Sequence, residues 1–476
     1  MDFAASSFEY VNQNTVHPVG LAALAIACAL IAFGPVRMIP LVLLGLAVYI
    51  PSAQRLVLAG ADFAFLRLGI MVALVRLGTT GRLFTFRFGW IDGLVAGGTL
   101  AKAALMPVTT GQMGILVQQV GSAFDTLGMY LVARATLRSI EDISRLAVQS
   151  LVLCLPVAVI FGIEKATGRN MLSVLGGIPL MTDVREGKLR CQGAFAHAIL
   201  AGCFFVALLP HWLAAWRLDA RSVVRPGARG YARWVAPAGF VLTAVIVVCC
   251  ASSTPAAALL FVLAAFAVYP MWMHLRLVWM GALALGTVLH FVMNHGIWHL
   301  IARIDLVGGS TGYHRFHLID KAIAHFGEWW LVGTISTRHW GWGLQDVTNQ
   351  YILEGVRGGV WAMLALVVAI VLALRACGFW LRRLPAGSPQ HLAVYGIGAS
   401  IFAQMAIFLA VSYFGQTIMI WYLTIAMGAF LAESRVAEEA RMRARAAELA
   451  ERRALAGAPR RAGATGVVGT LVRIGR

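Results

Sequence analysis

Long apolar runs separated by short polar segments are the dominant pattern along this chain. About thirteen runs approach the roughly 20 residues that a helix needs to cross a bilayer, and they are centred near residues 27, 46, 68, 98, 123, 155, 202, 243, 264, 285, 366, 402 and 424. Between the second and third runs, residues 51–55 form either a turn or a kink. The pattern predicts an all-α, polytopic membrane bundle of about 12 to 13 transmembrane helices with a large helical external loop.

The longest interval without a membrane-length apolar run extends from His295 to Gly359 and is rich in His, Arg, Asp, Trp and Asn. We predict a membrane domain over residues 1–434, with external loops at about 164–192 and 294–357, followed by a basic cytoplasmic tail over 435–476. Opposite charges four residues apart, Glu439 with Arg443 and Glu448 with Arg452, predict that the tail begins as a helix.

Composition excludes an ordinary soluble globule, because 60% of residues are hydrophobic, 13% are charged and the mean hydropathy is +0.78. The net charge of +18 would suit a nucleic-acid partner. However, the basic residues cluster in alternate loops, and the positive-inside rule assigns those loops and the C-terminus to the cytoplasm. We therefore expect contact with membrane lipids and no nucleic-acid partner, and we expect the long polar loop on the external side.

Motifs for cofactors and metals are not apparent. The seven cysteines lie mostly in apolar runs without paired spacing in the loops, so neither a disulfide framework nor a zinc site is predicted. The histidines are scattered, which favours a metal-independent mechanism without cofactors. No glycine-rich phosphate-binding motif indicates ATP-driven chemistry.

Four charged residues interrupt apolar runs: Asp62, Arg67, Lys102 and Asp125. Ionisable groups in lipid are costly and are usually paired or functional. The favoured interpretation is an internal pair, Asp62 with Arg67 or Lys102 with Asp125, that holds the bundle together. The alternative is a transport path.

Within the long polar loop, Ser310 or Thr311 can cap a helix that continues to about Trp330. Arg315 would lie in the first turn, where free N–H groups and the positive helix end attract anions, and its planar fork suits a phosphate. An equally good interpretation from spacing alone is a surface arginine paired with Asp305 or Asp320.

Two further segments carry candidate residues. Arg190 and His197 lie at the mouth of the helix that follows the first external loop. After a turn rich in Gly and Trp, Asp346 is predicted to cap a helix of about 28 residues that runs unbroken into the eleventh span and projects about three turns beyond the membrane. Asn349 and Glu354 would lie on the projecting end. The alternative is that Asp346 is only a cap and Asn349 its capping-box partner.

The order of a long external loop, a helix with GYHR, a [WL]xxGT turn and then DVTNQYILEGVRGG resembles the O-antigen ligase and O-antigen or exopolysaccharide polymerase superfamily. The segment LRCQGAFAHAILAG is similar to the earlier arginine-containing loop of that family. The resemblance covers residues 185–205 and 308–365. It implies a bacterial inner-membrane glycosyltransferase that takes glycan from an undecaprenyl-pyrophosphate carrier on the external face and passes it to a hydroxyl acceptor.

By this resemblance, Arg190 and Arg315 match the two arginines proposed to bind the pyrophosphate, and Asn349 matches the Asn of a His-Asn pair. Thr348 stands where ligases have His, so another residue would have to act as the base. The sequence offers four candidates: Asp346, His339, His314 and His317. The predicted catalytic residues are Asp346, Arg315, Asn349 and His314, and the predicted substrate-binding residues are Arg190, Arg315, Arg338, His197 and Glu354.

The missing ligase-type His favours a polymerase of a cell-surface polysaccharide, whose partners would be the undecaprenyl-pyrophosphate-linked glycan, the growing polysaccharide acceptor and other polysaccharide-assembly proteins. A ligase acting on lipid A core or protein is the nearest alternative. A transporter or flippase of lipid-linked glycans is an alternative of another class, expected to show broken helices and polar residues near the midplane of matched halves. No internal repeat is evident, which favours the enzyme.

Overall fold

The structure is a computed structural model, and it describes residues 14–58, 61–217, 232–293, 296–303 and 312–457. Most of these residues are helical. The helices are α1 (Pro18–Phe33), α2 (Ile39–Tyr49), α3 (Phe65–Thr79), α4 (Trp90–Thr110), α5 (Met113–Thr136), α6 (Ile140–Thr167), α7 (Ala198–Ala214), α8 (Ala232–Cys250), α9 (Ser253–Ala267), α10 (Leu275–Val292), α11 (Gly312–Ala324), α12 (Phe326–Trp329), α13 (Gln350–Leu381), α14 (Pro389–Ile407) and α15 (Ile418–Gly457).

Two short antiparallel hairpins accompany the helices. The first pairs β1 (Arg55–Leu58) with β2 (Ala61–Ala64), and the second pairs β3 (Asp183–Arg185) with β4 (Lys188–Arg190). The stretch 51–55 is therefore a turn that leads into a hairpin between α2 and α3, and not a kink in a helix. Short 3₁₀ turns occur at Val36–Met38, Met171–Leu175, Ala215–Arg217, Tyr269–His274, Ile297–Arg303, Arg338–Trp340 and Gly415–Thr417.

The predicted all-α architecture is confirmed. Each of the thirteen apolar centres lies inside a helix. Among the described residues, six helical stretches are long and apolar enough to cross a membrane: Trp90–Thr109, Ile140–Thr167, Arg233–Cys250, Tyr269–Val292, Gln350–Leu381 and Gly415–Arg445. Four shorter apolar helices accompany them. The protein is a multi-pass membrane protein.

Helix α7 forms the centre of the bundle and is buried along nearly its whole length between α8, α9 and α14. Small residues let the neighbouring backbones approach it closely, as is usual between helices in lipid. A Cβ on Gly239 of α8 would lie 2.7 Å from Trp212, and one on Gly396 of α14 would lie 2.9 Å from the Pro210 carbonyl oxygen. Near the other end of α7, which adjoins the candidate site, a Cβ on Gly202 would lie 2.6 Å from Pro255 of α9.

The charged residues of the apolar runs are paired, but not as the sequence predicted. Asp62 lies in the first hairpin and binds Arg55, whereas Arg67 of α3 forms a two-pronged ion pair with Asp125 of α5, with both N–O distances 2.7 Å. Lys102 binds Glu354, with 2.6 Å between Nζ and Oε2. The predicted Asp62–Arg67 and Lys102–Asp125 ion pairs were therefore wrong, because Asp62 pairs within its own hairpin and the partners of Arg67 and Lys102 lie on helices that are distant in sequence.

Helix α13 begins and continues differently from the prediction. Asn349 is its N-cap and accepts the Ile352 N–H at 3.1 Å, so the helix does not start after Asp346. The helix also breaks at Gly358 and Gly359, where Gly359 has a φ of +71° that favours glycine. The break frees backbone groups on both sides. Thr334 N–H donates to the Val356 carbonyl at 2.8 Å, and Val360 N–H donates to the Trp330 carbonyl at 2.7 Å.

A second buried charge network joins α4, α5 and the start of α15. The Arg134 side chain is fully buried, with its Nε 2.7 Å from Asp92 and a terminal nitrogen 3.1 Å from Glu433. The Tyr130 hydroxyl also donates to Asp92 at 2.7 Å. From the sequence, Arg134 is one of the basic residues that the positive-inside rule places in a cytoplasmic loop. In the structure it is an internal cross-link.

The chain forms two compact units that divide between Glu433 and Ser434, next to the predicted division between residues 434 and 435. In the second unit the described part of the chain is helical to Gly457, so the predicted helical start of the tail is confirmed. Glu439 forms an ion pair with Arg435 one turn earlier, at 2.9 Å. The predicted pairing of Glu448 with Arg452 involves a side chain outside the described residues.

Candidate functional site

The second hairpin and the loop after it position Arg190, which is 6% exposed. The loop is held by the buried carboxylate of Glu164, which accepts the backbone N–H groups of Gln192 and Gly193, each at 3.0 Å, and the Thr182 hydroxyl at 3.2 Å. These contacts fix the chain immediately after Arg190. Glu164 is thus a positioning residue that sequence reasoning missed, because nothing in its local spacing connects it with residues 28 positions later.

Arg315 lies in the first turn of α11 and is 7% exposed. One terminal nitrogen donates to the Thr254 hydroxyl at 2.9 Å, and its Nε is buried without a hydrogen-bond partner among the described residues. The alternative of a surface arginine is therefore wrong. Of the two proposed aspartate partners, Asp320 is exposed on α11, and Asp305 and the capping residues Ser310 and Thr311 lie outside the described residues.

Arg190 and Arg315 lie within electrostatic range of each other and of Arg185, and we call these three residues the cation cluster. Burial and then repulsion from Arg185 lower the pKa of Arg190, and burial together with repulsion from Arg185 and Arg190 lowers the pKa of Arg315. Asp183, opposite Arg190 in the hairpin, offsets part of the charge at 3.7 Å and is about half exposed. Positive charge is thus concentrated beyond what the local carboxylate balances.

Two helix N-termini add to this positive potential. Helix α7 begins directly after His197, which lies within electrostatic range of Arg190, and α9 begins at Ser253, next to the Thr254 hydroxyl that binds Arg315. The free N–H groups and the dipole of a helix N-terminus favour a nearby anion. The structure therefore joins His197, Arg190 and Arg315 in one electropositive region suited to a phosphate-bearing ligand.

His197 is neutral in this region. Its Nδ1 accepts the Ile199 N–H at 3.1 Å as the cap of α7, while burial and then repulsion from Arg190 lower its pKa to about 4. A protonated ring could not accept this hydrogen bond. His197 can thus act as a cap and as a neutral hydrogen-bonding group near the arginines.

This pKa leads to a pH prediction. The unfolded chain binds the His197 proton with a pKa near 6.5 and the folded chain with one of about 4, so the stability that the neutral ring contributes is fully present above about pH 6.5 and is lost as pH falls toward 4. The His197→Asn variant keeps a capping acceptor but does not titrate. We expect its unfolding temperature in detergent to fall less between pH 7 and 4.5 than that of the wild type. Equal losses would contradict the assignment.

Two polar residues around the cation cluster lie in or next to apolar runs and were not predicted as site residues from the sequence. Thr254 belongs to the apolar helix α9, and Tyr413 lies in the turn after α14. Tyr413 and Arg315 both lie within electrostatic range of the Cys203 thiol. The buried Tyr413 hydroxyl has no hydrogen-bond partner among the described residues. A ligand at the cation cluster could supply one.

The predicted base lies beside α11. The His314 Nε2 is 3.4 Å from the backbone carbonyl oxygen of Asp346, and its charge acts on the Asp346 carboxylate. That carboxylate keeps an exposed edge, yet the surrounding protein desolvates it and raises its pKa, with His314 partly offsetting the effect. Nearby, the Thr348 hydroxyl is buried without a partner among the described residues. Asp346 is thus available as a proton acceptor next to the turn that carries Arg315.

Other predicted site residues are engaged in structural contacts. Asn349 caps α13 and donates to the Leu409 carbonyl at 3.0 Å, so both ends of its amide are used. Glu354 binds Lys102 and accepts from Gln350 at 2.8 Å. Arg338 is exposed at the start of the 3₁₀ turn Arg338–Trp340. The geometry therefore does not place these three side chains with the cation cluster.

The two remaining histidines considered as bases have separate surroundings. His317 stacks on Tyr313, with ring centroids 6.0 Å apart and an interplanar angle of 9°. His339 contacts Glu328, with 2.7 Å between Nε2 and Oε2. Hydrogen bonds from Trp340 and then His325 lower the pKa of Glu328 to about 2.

No family model matches the sequence, and no curated protein matches it.

Proposed function

We propose that this protein is a polysaccharide polymerase of the bacterial inner membrane, a glycosyltransferase that moves glycan from an undecaprenyl-pyrophosphate carrier to a sugar hydroxyl on the external face. The observation that supports it best is the pair of buried guanidinium groups, Arg190 of β4 and Arg315 of α11, that lie within electrostatic range of each other. Like charges are costly to bury together. A doubly charged pyrophosphate would offset that cost and satisfy the open Arg315 Nε.

The chemistry assigns a role to each group. The acceptor hydroxyl oxygen forms a bond to the anomeric carbon, the bond from that carbon to the pyrophosphate oxygen breaks, and the pyrophosphate leaves with the bonding electrons. Arg190 and Arg315 stabilise the charge that develops on this leaving group. Asp346 accepts the hydroxyl proton, and its raised pKa brings it closer to the operating pH. His314 orients or assists Asp346.

A ligase would use the same leaving-group site with a different acceptor, so it stays the nearest alternative. Transport of lipid-linked glycan gains support from the broken helix α13 and the buried Lys102–Glu354 pair beside it. However, the backbone groups next to the break are bonded to residues 330–334 of the protein itself. They are therefore not available to a transported substrate, which favours the enzyme.

A deletion strain tests the proposed reaction. If the protein is a polymerase, the strain should accumulate single lipid-linked repeat units, because these can no longer be joined. Accumulation of long, unattached polymer would indicate a ligase, and retention of donor on the cytoplasmic leaflet would indicate a transporter. The wild-type gene should reverse the phenotype, and an Arg315→Ala gene should not.

The proposed reaction requires the site to lie on the external side, and reporter fusions can test this topology. The excess of arginine in alternate loops puts Pro385 in the cytoplasm and Leu175 outside. A reporter that is active only in the periplasm should therefore give a signal when fused at Leu175 and none when fused at Pro385, and a cytoplasmic reporter should give the reverse. A cytoplasmic signal at Leu175 would place Arg190 on the wrong side for the proposed reaction.

A further inference from the structure

Three potential metal ligands come together away from the cation cluster. His325 precedes α12, Glu328 lies within it, and His339 belongs to the 3₁₀ turn Arg338–Trp340. The His325 Nδ1 is 2.6 Å from one carboxylate oxygen of Glu328, and the His339 Nε2 is 2.7 Å from the other. All three ligand atoms lie within 4.8 Å of one another. We call these residues the His-Glu-His cluster.

We propose that the His-Glu-His cluster binds one divalent transition-metal ion, with zinc as the preferred ion. Two imidazoles and one carboxylate are typical zinc ligands, and the fourth position would be taken by water because all three side chains are at least partly exposed. Donor atoms around tetrahedral zinc lie about 3.4 Å apart when the metal–ligand bonds are about 2.1 Å. His325 and His339 contact different oxygens of Glu328, at 2.6 and 2.7 Å, so an ion between the two rings would bind both oxygens or turn the carboxylate to present one. Each of the two contacts would widen by about 0.7 to 0.8 Å.

A second layer of contacts already holds the ligands in orientation. The Trp340 Nε1–H donates to the Glu328 Oε2 at 3.0 Å, and the Trp340 ring stacks on His325 with an interplanar angle of 10°. Trp340 itself is only 3% exposed. Hydrogen bonds to metal-binding side chains commonly change metal affinity by about 10-fold to 100-fold. The cluster therefore has fixed geometry and is not a chance meeting of mobile surface groups.

A metal ion at this position would stabilise a small, separate hydrophobic core. Eight buried residues form a separate small core beneath this region: Leu318, Ala322, Trp329, Trp340, Leu344, Val347, Ile352 and Val356. Cores this small stabilise little on their own, and many small units add a metal ion. A zinc ion would join α12 to the turn that leads toward Asp346. Its role would be structural and independent of the proposed transferase reaction.

The test uses the full-length protein in detergent, purified with a histidine-free tag and stripped with EDTA. After incubation with equimolar ZnCl₂ and gel filtration, elemental analysis should find one zinc per chain. The His325→Ala/His339→Ala variant should bind at least about 100-fold more weakly and retain almost none. The exposed residue His274 provides a matched control, and His274→Ala should retain zinc normally.

Two measurements guard against misfolding of the double variant. Glu328→Gln keeps the size of the side chain but removes the anionic ligand, and we expect it to lose zinc while its gel-filtration profile stays monodisperse. Zinc should raise the unfolding temperature of the wild type, whereas it should not raise that of Glu328→Gln. The proposal is overturned if the wild type retains no zinc, if the variants retain as much as the wild type, or if Mg²⁺ or Ca²⁺ competes equally for the site.

Discussion

Replacing Arg315 by alanine should lower the turnover of purified protein with lipid-linked donor by about a hundredfold or more, because the arginine stabilises charge that forms mainly in the transition state. Arg315→Lys should be nearly as damaging. Lysine keeps the charge but loses the planar fork. Among the described residues, only Thr254 accepts a hydrogen bond from the Arg315 guanidinium, so the rest of the fork is open to a ligand. Donor binding should stay closer to normal than turnover.

A matched control comes from Arg169, an exposed arginine in the same loop as Arg190. Arg169→Lys and Arg169→Ala should both keep nearly full turnover. Thr254→Val tests the positioning of the guanidinium without changing charge, and we expect a smaller loss than for Arg315→Ala. Full activity of Arg315→Lys would show that Arg315 has no catalytic role. The motif resemblance would then reflect a shared architecture without shared chemistry.

The second large effect concerns stability. Arg134→Met should destabilise the protein by about 3 to 5 kcal/mol, because it leaves the buried carboxylate of Asp92 without its cation and leaves Glu433, among the described residues, with only the longer ion pair to Arg138 at 3.6 Å. The measurement is the temperature at which the monodisperse gel-filtration peak is lost in detergent. Turnover at low temperature should be affected much less, because the described contacts of Arg134 are with Asp92, Glu433, Arg87 and Phe86, away from the cation cluster.

The same network allows a rescue experiment. Adding Asp92→Asn and Glu433→Gln to Arg134→Met removes the unpaired charges, and the triple variant should recover a large part of the lost stability. Arg145→Met serves as the comparison, since Arg145 pairs at 3.0 Å with Asp142 one turn away and is partly exposed. Its effect should be within about 1 kcal/mol. Equal losses for Arg134→Met and Arg145→Met would show that the buried network contributes little.

The positions of the helices could be predicted because each one carries its own apolar signal. That signal says little about breaks or ends. The Gly358–Gly359 pair lies inside an apolar, helix-compatible segment, so only its contacts with residues 330–334 reveal why the helix breaks there. The N-cap was also misplaced, because Asp346 and Asn349 are both good capping residues and tertiary contacts decide between them.

Ion pairs between residues that are far apart in sequence were harder still to predict. Lys102 and Glu354 are 252 positions apart, and no spacing rule connects them. In the candidate site, the arginines were recognisable from their chemistry and from the motif resemblance. Thr254, Tyr413 and Glu164 were not, because a lone polar residue in or next to an apolar run gives no sign of what it will face after folding. The His-Glu-His cluster was missed for a related reason, since a turn brings His339 back to α12.

The break in α13 has a mechanical consequence. Two backbone hydrogen bonds connect the polar loop to the helix on the two sides of the break, where the helix's own backbone bonds are missing. They run from the Thr334 N–H to the Val356 carbonyl and from the Val360 N–H to the Trp330 carbonyl. In a water-poor setting, parting such bonds without replacement costs several kcal/mol per group. The loop and both segments of α13 are therefore joined at Gly358–Gly359, so a displacement of the loop would act on the helix on both sides of the break.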